Sequence, residues 1–69
     1  MDMDISKKFG KNFKTIRLKK GMSQGDIAKR LNVGASYISK IERGTQNVSL
    51  KGIEKLAKAI GVSAGKLMK

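Results

Sequence analysis

Gln24, Ser36, Tyr37, Ser39, Lys40 and Arg43 are the residues whose types and spacing could do chemistry, and that chemistry is recognition rather than bond-making. They fall within SQGDIAKRLNVGASYISKIERG, residues 23–44, where hydroxyls, an amide and cations alternate with buried-type aliphatics. Hydroxyl and amide groups both donate and accept hydrogen bonds, and Lys and Arg add charge-assisted bonds to anions. The groups that catalysis needs are missing. There is no histidine and no cysteine, and the five acids are scattered, with no paired-carboxylate motif and no phosphate-cradling loop. General acid-base and metal chemistry therefore have no seat, so no enzyme, no cofactor and no metal ion are expected.

Two short helices and one tight turn would carry these side chains. Ser23 supplies an N-cap and Asp26, three residues on, the acid of a capping box. From Gln24 to Leu31 the apolar residues Ile27, Ala28 and Leu31 share a face, and small Ala28 lets a second helix come close. Asn32 tolerates the left-handed conformation that ends a helix, and Gly34 reopens the chain. From Ala35 onward Ile38 and Ile41 face inward, leaving Ala35, Ser36, Tyr37, Ser39, Lys40 and Arg43 outside. Plain structural readings compete: Gln24 as an exposed first-turn residue, Ser36 as the N-cap of the third helix, and Tyr37 as a ring packed on the second helix with its hydroxyl wet.

The runs SQGDIA and SYISKIERG at this separation resemble the lambda-repressor-like (XRE-type) helix-turn-helix family. Within it, YISKIERGTQNVSLKGIEKLAKAIGVS is similar to the small controller proteins of bacterial restriction-modification systems, and the likeness runs from Phe9 to Leu67. The resemblance implies an all-α, compact five-helix DNA-binding domain with its helix-turn-helix at helices two and three. It also implies that Gln24 clamps a phosphate, that Ala35, Ser36, Tyr37 and Ser39 meet base edges in the major groove, and that Arg43, Gln46 and Asn47 touch the backbone. Lys40 belongs to the same basic side. Controller proteins commonly carry a large basic residue where this chain has Ala35, so a base contact through that side chain is missing here. Glu42 would be repelled by DNA and is expected to pair with a base such as Arg17. Phage-type immunity and antitoxin roles are alternatives on the same fold.

Charge agrees with a polyanionic partner. Sixteen Lys and Arg against five Asp and Glu give a formal charge of +11 over 69 residues, read as one domain spanning 1–69. DNA, RNA and an anionic membrane surface all satisfy that charge. A basic amphipathic membrane binder would leave its apolar face exposed, whereas here the apolar positions close into a core. Single-stranded RNA binders use aromatic platforms, and only Phe9, Phe13 and Tyr37 are available. No apolar run approaches the roughly 20 residues of a spanning helix, and the start MDMDISKK lacks the apolar core of a secretory signal, so a cytoplasmic protein is expected.

The remaining helices follow the same grammar. Helix one is expected from about Asp4 or Ile5 to Lys20, with Ile5, Phe9, Phe13 and Ile16 as its apolar stripe, Gly10 as a weak point and Gly21 as its stop. After the loop TQNV, Ser49 caps helix four, in which Leu50, Ile53, Leu56, Ala57 and Ile60 keep helical spacing up to Gly61. Ser63 opens a short fifth helix, Ala64 to Met68. The expected core is Phe9, Phe13, Ile16, Ile27, Ala28, Leu31, Ile38, Ile41, Val48, Ile53, Leu56 and Ile60. One reading helix spans only a few base pairs, so a homodimer on a pseudo-palindrome, with reading helices about 34 Å apart, is expected. Residues 60–69 would join it, through Ile60, Val62, Leu67 and Met68, unless Leu67 closes the chain's own core. The expected function is that of a sequence-specific double-stranded DNA-binding transcriptional regulator, which blocks a promoter or presents a surface to RNA polymerase.

Overall fold

The first four helices are each closed by a stop written in the few residues that follow it. The computed structural model describes residues 2–68, with α1 at Asp2–Lys19, α2 at Gln24–Leu31, α3 at Ala35–Arg43, α4 at Leu50–Ile60 and α5 at Ala64–Leu67. Residues 1 and 69, the second of them the end of the stretch assigned to association, lie outside it. Gly21, Asn32, Gly44 and Gly61 all have positive φ, and after each of them the next amide reaches back five residues: Met22 to Arg17, Val33 to Ala28, Thr45 to Lys40 and Val62 to Ala57, at 2.9–3.1 Å. That is the Schellman arrangement, which satisfies the orphan carbonyls of a helix end. The starts are equally local. Ser23 and Asp26 form the expected capping box, Ser49 Oγ accepts from the Gly52 amide at 3.1 Å, and Gly34 caps α3 with no side-chain bond.

Packing joins the helices into a closed circuit: α1 against α3, α3 against α2, α2 against α4, α4 against α5 and α5 back against α1. Phe9, Phe13, Ile27, Ala28, Ile38, Ile41, Ile53, Leu56 and Ile60 fill the centre as expected, joined by Ala57, Ala59 and Leu67. Ile16, Leu31 and Val48 pack on its edge, half-buried. Polar ties close the back of the molecule. Arg30 Nη1 donates to the Ala59 carbonyl at 2.8 Å and Lys20 Nζ to the Gly61 carbonyl at 3.3 Å, so two cations sit on the negative end of α4. Asn12 Nδ2 donates to the Leu67 carbonyl at 2.9 Å and ties α5 to α1.

Several expectations need correction. Helix α1 begins at Asp2, ahead of Asp4, and ends at Lys19. Ile5 is about half exposed, whereas Phe9, Phe13 and Arg17, on successive turns of the same stripe, are buried. Leu50, the first residue of α4, is 81 % exposed. Gly10 does more than weaken α1: a Cβ there would lie 2.2 Å from the Ile41 carbonyl oxygen, so α1 and α3 meet backbone to backbone. Ile60 and Leu67, assigned to a partner-facing seam, are core residues of the chain itself with essentially no exposed surface. Of that set only half-buried Val62 and exposed Met68 reach the surface. Among the described residues no helix is long and apolar enough to cross a membrane.

Candidate nucleic-acid interface

Helix α3 is anchored by one face and open on the other. Ile38 and Ile41 are fully buried, whereas Ala35, Ser36, Lys40 and Arg43 are exposed and Ser39 is half-buried between them. Ser36 is not the cap of this helix. Gly34 holds that position, and Ser36 lies one residue into the helix, its hydroxyl not used for capping. Tyr37 departs from the expected outward set: it is half-buried, packs against the core and lines a hollow with Leu31, Val33, Lys51, Lys55 and Leu56. Its ring follows the structural reading, on the side of α2 and α4.

Beside α3 stands Gln24, the first residue of α2, half-buried and bonded through Nε2 to Glu42 Oε1 at 3.0 Å. Glu42 also holds Arg17, as expected. The guanidinium donates from Nε to Oε2 and from Nη2 to Oε1, the latter at 3.0 Å, and both side chains are more than nine-tenths buried. The remaining edge of Arg17 is not idle: Nη1 donates to the Met22 carbonyl at 2.8 Å, fixing the turn that delivers Ser23 and Gln24. Breaking a buried pair of this kind by removing one partner costs about 3–5 kcal/mol, because the other charge is left unpaired. The sequence suggested Arg17 with Glu42. It carried no signal for the bond from Gln24 to Glu42, 18 residues apart on different helices.

The loop after α3 brings Gln46 and Asn47 close to the first turns of α1. Gln46 is half-buried and borders a shallow hollow with Ile5, Phe9, Val48, Ile53 and Met68, and exposed Asn47 adjoins Ile5 and Ser6. Thr45 Oγ1 donates to the Lys40 carbonyl at 3.2 Å and reinforces the end of α3. Gly44, at φ 77°, leaves no room for a side chain, since a Cβ would lie 2.7 Å from the Lys7 Cα. Lys40, Arg43 and Ser36 are exposed on α3, and the amide of Gln24 reaches the last turn of that helix at Glu42. No cluster of His, Cys, Asp or Glu able to hold a metal ion occurs among the described residues.

Two helices at a fixed angle, the second presenting a polar, basic side from a short turn, are the geometry of a helix-turn-helix that lays its second helix in a DNA groove. Comparison with known proteins bears this out. Residues 13–67 match the family described as Helix-turn-helix. Control protein C.BamHI of Bacillus amyloliquefaciens is 46 % identical over 69 residues, covering 99 % of this chain and 85 % of that protein. The crystal structure of the restriction-modification controller protein C.AhdI from Aeromonas hydrophila superposes with a TM-score of 0.84 at 39 % identity, covering 90 % of this chain and 94 % of the other. That of the wild-type controller protein C.Esp1396I gives 0.82 at 38 % identity, covering 91 % and 83 %. The chain belongs to the XRE-type helix-turn-helix family of DNA-binding transcription regulators, which are not enzymes.

Proposed function

We propose that this chain is a sequence-specific regulator of the controller type, reading the major groove with residues 35–43 and acting in the cytoplasm on a promoter of its own system. The observation that carries the reading is the division of α3 into a buried face of Ile38 and Ile41 and an open face of Ala35, Ser36, Ser39, Lys40 and Arg43. Serine hydroxyls are short and can meet either donors or acceptors on base edges, whereas Lys40 and Arg43 favour guanine edges or phosphate. Gln24, Gln46 and Asn47 flank that helix and supply backbone contacts, which fix register without reading sequence. Alanine at position 35 makes the reading leaner, so specificity rests more on Ser36, Ser39 and Lys40.

Regulation follows from occupancy: a bound molecule blocks a promoter or offers RNA polymerase a surface. The assembly proposed is a homodimer through the C-terminal end. Its surface members are Met68 and Val62, with Ile5 beside Met68 around one apolar hollow, since Ile60 and Leu67 are consumed by the monomer's own core. Selection of bound duplexes from a random pool tests the function directly. A pseudo-palindromic motif with half-sites about one helical turn apart is the expected result. A pool that shows no enriched sequence, at any salt concentration where binding occurs, would remove the proposed specificity.

A further inference from the structure

An acid on the helix that reads DNA needs a reason. Glu42 lies in the last turn of α3, next to exposed Arg43, yet its side chain is only 3 % exposed. Its charge is matched on the spot: Arg17 donates to both carboxylate oxygens, so the pair carries no net charge towards a polyanion. Ion pairing alone would not require Gln24. Oε1 nevertheless accepts a second bond, from Gln24 Nε2 at 3.0 Å.

That bond constrains Gln24 in two ways. A carboxylate has no hydrogen to give, so it can meet only the NH2 end of the amide; turning the amide over would set a carbonyl oxygen against a carboxylate. The amide is therefore held in one orientation, and the side chain is tethered at its tip. Only one of the two Nε2 hydrogens is used, which leaves a second N–H as a donor of fixed direction. A glutamine free in solvent would have to give up its rotamer freedom when it gripped a phosphate, and here that loss is already taken on folding.

We infer that Glu42 is the positioning residue for the phosphate contact, holding the Gln24 amide in its binding pose before DNA arrives, with Arg17 cancelling the charge that would otherwise repel the backbone. The inference rests on the proposed contact between Gln24 and phosphate. It explains why Arg17, Gln24 and Glu42, from three different helices, converge on one carboxylate, and why Arg17 also braces the Met22 carbonyl just ahead of Gln24.

The test removes the carboxylate without stranding a buried charge. In the variant carrying Arg17→Met and Glu42→Met together, a positive and a negative group are lost at once, the net charge is unchanged, and apolar replacement of a buried pair is well tolerated. Affinity for a short random-sequence duplex is measured by fluorescence anisotropy for the wild type, for this variant, and for each with Gln24→Ala added. The paired variant should bind about threefold to tenfold more weakly, the freedom of one long side chain having to be lost on binding. Gln24→Ala should then cost clearly less in that background than in the wild type. An equal cost in both backgrounds overturns the positioning role while keeping the phosphate contact. No cost of Gln24→Ala in the wild type overturns the contact itself. Should the paired variant fail to fold, NMR of the wild-type Gln24 side-chain amide decides: slow exchange of one Nε2 hydrogen in the free protein supports the inference, and exchange like that of free glutamine refutes it.

Discussion

Gly10 of α1 lies directly against the carbonyl of Ile41 in α3, so close that a Cβ would stand 2.2 Å from that oxygen and 2.9 Å from the carbonyl oxygen of Glu42. Both neighbours are backbone and cannot swing aside. The helix that carries the open polar face is thus held from behind by another helix's bare backbone, and any side chain at position 10 pushes the two apart.

Gly10→Ala is expected to destabilise the domain by about 1–3 kcal/mol or more, the typical cost of overpacking. Gly25 provides the contrast: a Cβ there would meet only Ser23 Oγ, at an ordinary 3.6 Å. Gly25→Ala should raise stability by up to about 1 kcal/mol through helix propensity. Urea unfolding of the two variants, followed by circular dichroism, checks both, and equal effects of the same sign would contradict the close approach.

Direct readout and backbone contact should separate by mutation. Ser36→Ala and Ser39→Ala are expected to change sequence preference, each costing on the order of 1–3 kcal/mol on the best site where a base contact is lost, with little change on random duplex. Arg43→Ala and Gln24→Ala should weaken all duplexes alike. Titrations on selected and scrambled duplexes check this, and uniform losses from both serine changes would count against reading through α3.

Salt dependence should report orientation. Each phosphate contact contributes roughly 0.9 to the slope of log affinity against log salt. Lys40→Ala is expected to flatten that slope by about one unit. Lys58→Ala should leave it nearly unchanged, since Lys58 borders the hollow formed by Arg30, Lys55 and Ala59 at the end of α4. Similar slopes for the two variants would mean that the domain meets DNA by another face.

The capping box gives a pH signature. The Asp26 carboxylate is held below its ordinary value of 3.8, first by the Ser23 backbone N–H and then by the Ser23 hydroxyl, with the charges of Arg30 and Lys29 adding to the effect. A folded value below the unfolded one means that this stabilisation is complete above the unfolded pKa of about 3.9 and fades as pH falls through the folded pKa. Thermal melts across acid pH should therefore decline less steeply for Asp26→Ala than for the wild type. Ser23→Ala should cost about 1 kcal/mol at neutral pH.

Association is best probed at Met68. Leu67→Asp would bury a charge in the monomer's core and unfold it, so that change cannot report on assembly. Met68→Asp alters an exposed side chain, and sedimentation at micromolar protein should show it shifting a dimer towards monomer while the melting temperature of the monomer changes little. An unaltered assembly in both Met68→Asp and Ile5→Asp would locate the seam elsewhere.

Features decided by neighbouring residues were legible in the sequence, and features decided across the fold were not. The Ser23 and Ser49 caps, the left-handed Asn32 and the glycine stops all follow from groups within five residues of one another. Helical spacing alone does not tell a buried stripe from an exposed one: Ile5 and Leu50 keep the period of their helices yet face solvent, while Arg17 keeps it and is buried because an acid 25 residues away receives it. Gly10 read as a local weakness because its reason is the backbone of another helix. The sequence places Leu67 in a seam, with closure of the chain's own core as the alternative, and only the turn at Gly61 and Val62, which returns α5 against α1 and α4, decides for the core. In the candidate site, the two faces of α3 were readable from Ile38 and Ile41. The grip of Glu42 on Gln24 was not, since nothing in either segment refers to the other.

The four Schellman stops have a kinetic consequence. Each is closed by bonds spanning at most five residues, so these four turns can form before any helix has found its neighbour. Locally closed helical topologies of this kind have low contact order and fold in about microseconds to milliseconds. Rapid refolding after dilution from denaturant, in a single exponential phase, is the behaviour this construction implies, so that assembly on DNA would be paced by the meeting of two copies and not by the folding of either.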